Sequence, residues 1–562
     1  MEYLVFFGAA ILFVLFMVVK GTIDARKEKA KFVRYLYDNY GELPRKEYIP
    51  GKLENIAKFY ERHPKEGQLD QITWNDLNLE EIYKRVNYTY SSAGEEYLYY
   101  TLRTPEFSEE PLIHREELIR YFMEHPEERV ELQSALAELG YSGKFSIYEY
   151  LENLDILGER NNRKHYLADF LFLPLLISCA YAPAVGLMGI AVLAVYNFVS
   201  YFKEKNEIDP YIVSFSYVMR LLQSADKISR MKNTGFEEER ARMDQSRKEL
   251  SQFRRGSFWL MSAGRMSGSG NPLDIFMDYL RMAFHLDLIK FNSMLAQVRK
   301  HLSDVDIMLE TAGYLETMIA IGAYRTSLQT WCVPKASQGL AIKGLYHPLL
   351  ENAVPNNICT EKGVLLTGSN ASGKSTFLKS VALNAVFAQT LHTCLAESYE
   401  GPFYHIYSSM SLKDDLGSGE SYYMVEIKAI KRILDKSCET KGRVLCFVDE
   451  VLRGTNTVER IAASTQILRC LADERVICFA ATHDIELAEL LREKYDNYHF
   501  EEEIVDGDVH FSYQIKTGKA VTRNAIRLLS VMGYDASLIR EAEAMSERFL
   551  KDGIWSLQSQ QN

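Results

Sequence analysis

Residues 363–376, Gly-Val-Leu-Leu-Thr-Gly-Ser-Asn-Ala-Ser-Gly-Lys-Ser-Thr, constrain the fold more than any other stretch of this chain. Val364, Leu365 and Leu366 make a short apolar strand. Residues 368–375 fit the spacing G-x-x-x-x-G-K-S, and residues 376–387 continue as an amphipathic helix. Strand, glycine-rich loop and helix in that order belong to an α/β layer architecture. The glycines let backbone N–H groups wrap around phosphate oxygens. Lys374 can reach the β and γ oxygens, and the Ser375 hydroxyl can ligate magnesium.

Further segments supply the remaining chemistry. Residues 443–450, Arg-Val-Leu-Cys-Phe-Val-Asp-Glu, read as an apolar strand ending in two carboxylates. After such a loop, Asp449 is expected in the magnesium shell, and Glu450 is expected to polarise an attacking water as general base. A second apolar strand, residues 476–479, leads to Ala-Ala-Thr-His-Asp, which places His483 where it could contact a γ-phosphate. Ser418 and Gly419, in Asp-Leu-Gly-Ser-Gly-Glu-Ser before another helix, can offer hydroxyl and backbone donors. Their distance from the loop suggests donation in trans across a dimer. Gln389, fifteen residues after Lys374, is expected to sense magnesium or water.

Composition narrows the class without choosing a partner. With 562 residues, 47% hydrophobic and 25% charged, the chain has material for two or more folded domains, and whole-chain disorder is excluded. The formal net charge of −11 gives no sign of nucleic-acid binding. Eight cysteines, none in a CxxC pair, read as reduced thiols rather than a disulfide framework or a zinc site. Residues 4–19 are apolar or small and precede Lys20, Arg26, Lys27, Lys29, Lys31 and Arg34. As a helix they reach about 24 Å, which flanking Tyr3 and Lys20 can extend toward a bilayer core of about 30 Å. Charges that follow the apolar run favour an uncleaved anchor over a signal peptide. Residues 167–202 form a second apolar stretch, broken near Tyr181 and Pro183 and bounded by Arg163, Lys164, Lys203 and Lys205. Two short spans fit it, with both basic ends in the cytoplasm; a buried helical hairpin is the alternative. Three spans would make the chain a multi-pass membrane protein with its nucleotide site in the cytoplasm. His114, His125 and His165 are isolated, and ordinary packing or surface roles are expected for them. From residue 208 to about 330 apolar residues recur at helical steps, as in Ile307, Leu309, Ala312, Leu315, Met318, Ile319 and Ile321. A Gly/Ser-rich stretch at 256–271 reads as a loop between long helices.

The order of loop, glutamine, Ser-Gly segment, Asp-Glu strand and histidine strand resembles the ABC-type ATPases. The wording resembles the MutS family of DNA mismatch repair ATPases more narrowly. It lies in Thr-Gly-Ser-Asn-x-x-Gly-Lys-Ser-Thr at 367–376, Asp-Asp-Leu-x-Ser-Gly-x-Ser at 414–421 with Met424-Val425-Glu426, Asp-Glu-x-x-Arg-Gly-Thr-x-Thr at 449–457 and Ala-Thr-His at 481–483. Tyr346-His347-Pro348 and Val354-Pro355-Asn356 stand where that family leads into its loop.

The resemblance implies an α/β P-loop ATPase domain of ABC/MutS type, binding ATP with Mg2+. Gly368, Ser369, Asn370, Ala371, Ser372, Gly373, Lys374, Ser375 and Thr376, with Gln389, would hold the nucleotide. Ser375 and Asp449 would hold the metal, and Lys374, Glu450 and His483 would serve catalysis. It also implies a head-to-tail homodimer in which Ser418 and Gly419 serve the partner and residues 453–457 line the interface. Ala371-Ser372 departs from the family's Met-Gly, and binding survives if Ser372 keeps helical dihedrals. Phe107-Ser108-Glu109 has the letters of the family's mismatch-reading Phe-x-Glu but not its surroundings, and a nuclease-like Smr domain, as in another branch, is not expected.

The expected organisation is a membrane anchor at 1–20, a helical cytoplasmic domain at 21–165 and a transmembrane hairpin at 166–203. A helical core and lever at 204–340, an ATPase domain at 341–545 and a tail at 546–562 follow. Two partner readings stay open: double-stranded DNA, with a role in mismatch repair or as a clamp, or a membrane-tethered mechanical ATPase acting on a protein or membrane partner without DNA.

Overall fold

A computed structural model of the chain describes residues 2–143, 146–232, 234–254, 279–369, 372–410, 422–453, 455–505, 508–520, 526, 529, 532–553 and 555. The chain divides into two compact units. One comprises Met1–Pro64, Arg85–Tyr100 and Arg115–Ser327, the other Lys65–Lys84, Thr101–His114 and Leu328–Asn562. Two short segments of the N-terminal region thus belong with the C-terminal unit.

The first unit is helical. Its helix Leu302–Ser327 buries Val305, Met308, Leu309, Ala312, Leu315, Met318 and Ile319, the three- and four-residue recurrence anticipated above. Near its end Arg325 is buried and donates to both oxygens of Glu116, at 3.0 and 2.6 Å. The first apolar run lies within one helix, Glu2–Asp38. The second forms a hairpin of helices Arg163–Tyr181 and Pro183–Ile228, broken at Ala182, with Pro183 at the first helical position. Proline fits there because that N–H has no helical acceptor. Leu173, Leu176, Ile177, Leu187, Met188, Val192 and Val195 all face outward. Pro183–Asp209 is long and apolar enough to cross a membrane by length and composition. At the basic end of the hairpin, His165 is buried with its Nδ1 2.8 Å from Nδ1 of His285 and its Nε2 3.4 Å from Glu204. The Gly/Ser-rich stretch at 256–271 falls outside the described residues.

Among the described residues the second unit carries ten strands: β1 (Lys335–Ala336), β2 (Leu340–Leu345), β3 (Asn356–Thr360), β4 (Gly363–Thr367), β5 (Ser398–Gly401), β6 (Tyr404–Ser409), β7 (Arg443–Asp449), β8 (Val476–Thr482), β9 (Tyr495–Val505) and β10 (Asp508–Thr517). The larger sheet has the order β10-β9-β4-β8-β7-β6, parallel from β6 to β9, with β10 antiparallel at the edge. β4, β7 and β8 are apolar along their length because helices cover both faces of a parallel sheet. Leu365, Cys446, Val448, Cys478 and Ala480 pack in one core with Ile430, Ile433 and Leu468 from the helices. β1, β5, β2 and β3 form a separate four-stranded sheet.

The outer edge of β6 is closed by side chains rather than by another strand. The Gln389 amide accepts from Tyr404 N–H at 2.8 Å and donates to Tyr404 C=O at 3.1 Å, as a neighbouring strand would. Further along, Ser408 N–H donates to Thr73 Oγ1, while Asp76 accepts from Ser408 Oγ at 2.7 Å and Met410 N–H at 2.9 Å. Unpaired strand edges invite unwanted pairing, and these contacts cover this one. They also explain why residues 65–84 belong to this unit.

Candidate functional site

β4 delivers the chain into a tight loop at the centre of the sheet. Gly368 has φ +147°, and a Cβ there would meet Phe500 O at 2.9 Å, so the loop can pass this strand only with glycine. Gly373, at φ +107°, caps the helix Lys374–Gln389. Its N-terminus therefore points into the loop, where free N–H groups and the helix dipole favour an anion. Ser372 has no positive φ, so a side chain is accommodated there without left-handed backbone strain. It is buried, and among the described residues its Oγ has no hydrogen-bond partner. Asn370 and Ala371 lie outside the described residues.

Lys374 folds back over the loop. Its Nζ donates to Gly368 O at 2.9 Å and Ser369 O at 2.6 Å, and burial pulls its pKa below the ordinary lysine value, with Asp449 opposing. Ser375 Oγ donates to Asp449 at 2.5 Å across the gap between β4 and β7. Burial pushes the Asp449 carboxyl upward, and the Ser375 hydrogen bond partly offsets this. One carboxylate beside one hydroxyl fits a hard cation that takes its other ligands from water and phosphate. Among the described residues no group of three or more His, Cys, Asp or Glu side chains could hold a metal by itself.

Glu450 follows Asp449 with φ +59°, a left-handed turn uncommon outside glycine that swings its side chain from the strand toward β8. His483 Nε2 lies 2.7 Å from one carboxylate oxygen and Arg453 Nε 2.6 Å from the other. The His483 hydrogen bond holds the Glu450 pKa below the usual range. Next to His483, Asp484 is clamped by Arg460 through two bonds of 2.8 and 2.7 Å, which fixes the end of β8.

These groups meet at a cavity of about 520 Å3 whose wall includes Lys374, Ser375, Thr376, Asp449 and Glu450. Its other side is built by Tyr346, His347, residues 350–354 and Asn356, and by Phe500 and Tyr513 from the β9–β10 hairpin. Asn356 pins that hairpin, donating to Tyr513 O at 2.9 Å and accepting from Ile515 N–H at 2.8 Å.

One expectation fails. Gln389 lies at the far end of helix Lys374–Gln389, about 22 Å from Lys374 at 1.5 Å per residue. Both ends of its buried amide are engaged by Tyr404 and by Glu106 O, so it is a strut under β6 and does not sense magnesium or water. Ser418 and Gly419 lie outside the described residues. Several site residues had no assigned role at the nucleotide in the sequence reading. Arg453 enters that reading only as part of the interface segment 453–457, and its i+3 spacing from Glu450 could have placed it beside that carboxylate. Glu426, which accepts from Arg453 N–H at 3.2 Å, and Glu502, which accepts from Ser369 Oγ at 2.6 Å, arrive from distant segments. Phe107 also acquires a place: its ring stacks on His405 at 4.3 Å, over Gly67.

Residues 364–550 match the family described as MutS domain V. The DNA mismatch repair protein MutS of Thermus thermophilus is 32% identical over 217 residues, covering 38% of this chain and 26% of that protein. MutS protein homolog 4 of Homo sapiens is 27% identical over 290 residues, covering 48% of this chain and 31% of the relative. For the DNA mismatch repair protein MutS of Natronomonas pharaonis the values are 28% over 275 residues, 47% and 32%. The chain thus spans only about a quarter to a third of the length of these curated relatives. The region that holds the loop, the carboxylate pair and the histidine is thus similar to domain V of the MutS family.

Proposed function

We propose that the chain binds ATP with Mg2+ in the 520 Å3 cavity and hydrolyses it. The observation that carries this reading is the meeting of three groups at one cavity wall: the Lys374 loop, the Ser375–Asp449 pair and Glu450, which His483 contacts at 2.7 Å. Lys374 and the N–H groups at the start of its helix bind and orient the triphosphate. Ser375 and Asp449 hold Mg2+. A cation held by these two residues would supply positive charge against the triphosphate. Glu450, ionised and oriented by His483 and Arg453, accepts the proton of the attacking water. By family resemblance, Ser418 and Gly419 complete the site of a second copy, so turnover depends on a homodimer.

The names of the relatives make double-stranded DNA the first partner to test. A second reading, a membrane-tethered mechanical ATPase, is favoured by the outward-facing apolar side chains of the helical hairpin, whose basic residues Arg163, Lys164, Lys203 and Lys205 gather at one end. In this reading both helices cross the bilayer from the cytoplasmic side.

Glu450→Gln tests the enzymatic assignment. It should retain ATP and the ATP-bound dimer, and lower turnover by about 10²- to 10⁴-fold, the usual share of a general base. Turnover within threefold of the parent would remove Glu450 from the mechanism. Titrating detergent-solubilised protein with homoduplex and mismatched DNA, with and without ATP, separates the partner readings. Salt-dependent binding without mismatch preference supports a DNA clamp, and no binding at low salt leaves the membrane reading.

A further inference from the structure

We propose that Cys332 and Cys394 form a reversible disulfide, a redox staple between the chain segment entering the ATPase unit and the turn after the helix Lys374–Gln389. The two residues face each other in an isolated antiparallel bridge. They exchange both backbone hydrogen bonds, Cys332 N–H to Cys394 O at 2.9 Å and Cys394 N–H to Cys332 O at 2.8 Å. Such a pair keeps its Cα atoms about 5.5 Å apart, inside the range a disulfide spans. The side chains lie on the same side, as those of directly opposed residues in an antiparallel pair do. Neither cysteine lines the 520 Å3 cavity.

The two thiols differ in a way that assigns the order of reaction. Cys332 is half-buried, and its pKa is lowered first by the Cys394 hydrogen bond and further by a backbone hydrogen bond at Tyr399 and the charge of Lys335. It is the attacking thiolate. Cys394 is fully buried, and its Sγ also lies 3.6 Å from Asn384 O as a donor. It is the resolving thiol. With a low-molecular-weight disulfide RS–SR as oxidant, Cys332 sulfur attacks one sulfur, the S–S bond breaks, and one RS⁻ leaves. Cys394 sulfur then attacks Cys332 sulfur and expels the second RS⁻. The two protons of the protein thiols end on the two RSH molecules, and two electrons pass from protein to oxidant. In a reducing compartment the same exchange runs backward, which agrees with thiols that are reduced at rest.

The test exposes full-length protein to oxidised glutathione and maps peptides without reduction. A cross-linked peptide pair containing Cys332 and Cys394, lost on adding dithiothreitol, is expected. Cys394→Ser should trap glutathione on Cys332. Cys332→Ser should leave Cys394 unmodified, because burial shields it. The rate of Cys332 capture should rise with pH and level off below about 8.5, the ordinary thiol value. Adducts confined to the exposed Cys359, Cys438 and Cys470, with no 332–394 peptide, would overturn the proposal. So would equal capture at Cys394 in the Cys332→Ser variant.

Discussion

Replacing Gln389 by leucine separates a strut from a sensor. The side chain is 1% exposed, and its amide makes three bonds: from Tyr404 N–H at 2.8 Å, to Tyr404 O at 3.1 Å and to Glu106 O at 3.2 Å. Leucine is similar in size, so the change removes hydrogen bonds more than volume. Tyr404 is fully buried, so its N–H and C=O are left without these partners and without water. Each buried group stranded in this way costs about 1–3 kcal/mol. Counting the two Tyr404 groups fully and the Glu106 carbonyl partly gives roughly 3–6 kcal/mol for the ATPase unit. At about 2–4 °C per kcal/mol in a domain of this size, the melting transition of that unit should fall by about 6–24 °C. It is read by differential scanning calorimetry, with hydrogen exchange on β6 to localise the effect. At a temperature where the variant stays folded, the KM for ATP and the Mg2+ dependence should match the parent. An unchanged melting transition with a weakened Mg2+ dependence would refute the strut and restore the sensor.

Other perturbations probe the site and the helical unit separately. Lys374 is expected to be charged up to a pKa that burial sets below the ordinary value of about 10.4, so kcat/KM for ATP should be flat at neutral pH and fall before that point is reached. A plateau extending past 10.4 would mean that burial does not govern Lys374. His483→Ala removes the hydrogen bond that lowers the Glu450 pKa, so the acid limb of kcat/KM should move to higher pH. A limb that stays in place would assign that limb to another group. Arg325→Leu leaves the Glu116 carboxylate without its buried partner and should cost the helical unit about 3–5 kcal/mol, seen as faster hydrogen exchange along helix Leu302–Ser327. Unchanged exchange there would show that water or a neighbour replaces the guanidinium.

Local patterns in the chain were enough to specify much of this molecule. The apolar runs at 364–366, 444–448 and 476–479 became β4, β7 and β8 because a strand covered on both faces must be apolar throughout. Glycines at 368 and 373 marked the loop because its backbone takes φ values that few other residues adopt. The break at Ala182 was legible from Pro183 for the same kind of reason. These are constraints over a few residues, and a linear sequence carries them openly.

What only the tertiary structure decided involves distances through space. Gln389 has the right residue type and spacing for a sensor, yet a helix of sixteen residues carries it to the opposite end of the unit. Glu450, His483 and Arg453 meet because β7 and β8 are adjacent and because the chain turns left-handed at Glu450. The assignment of residues 65–84 to the ATPase unit rests on Thr73 and Asp76 finding the bare edge of β6, more than 330 residues later in the chain. The opposition of Cys332 and Cys394 is likewise a matter of register. Sequence spacing fixes which side of an element a residue faces, while the pairing of strands and the packing of helices fix what it meets there.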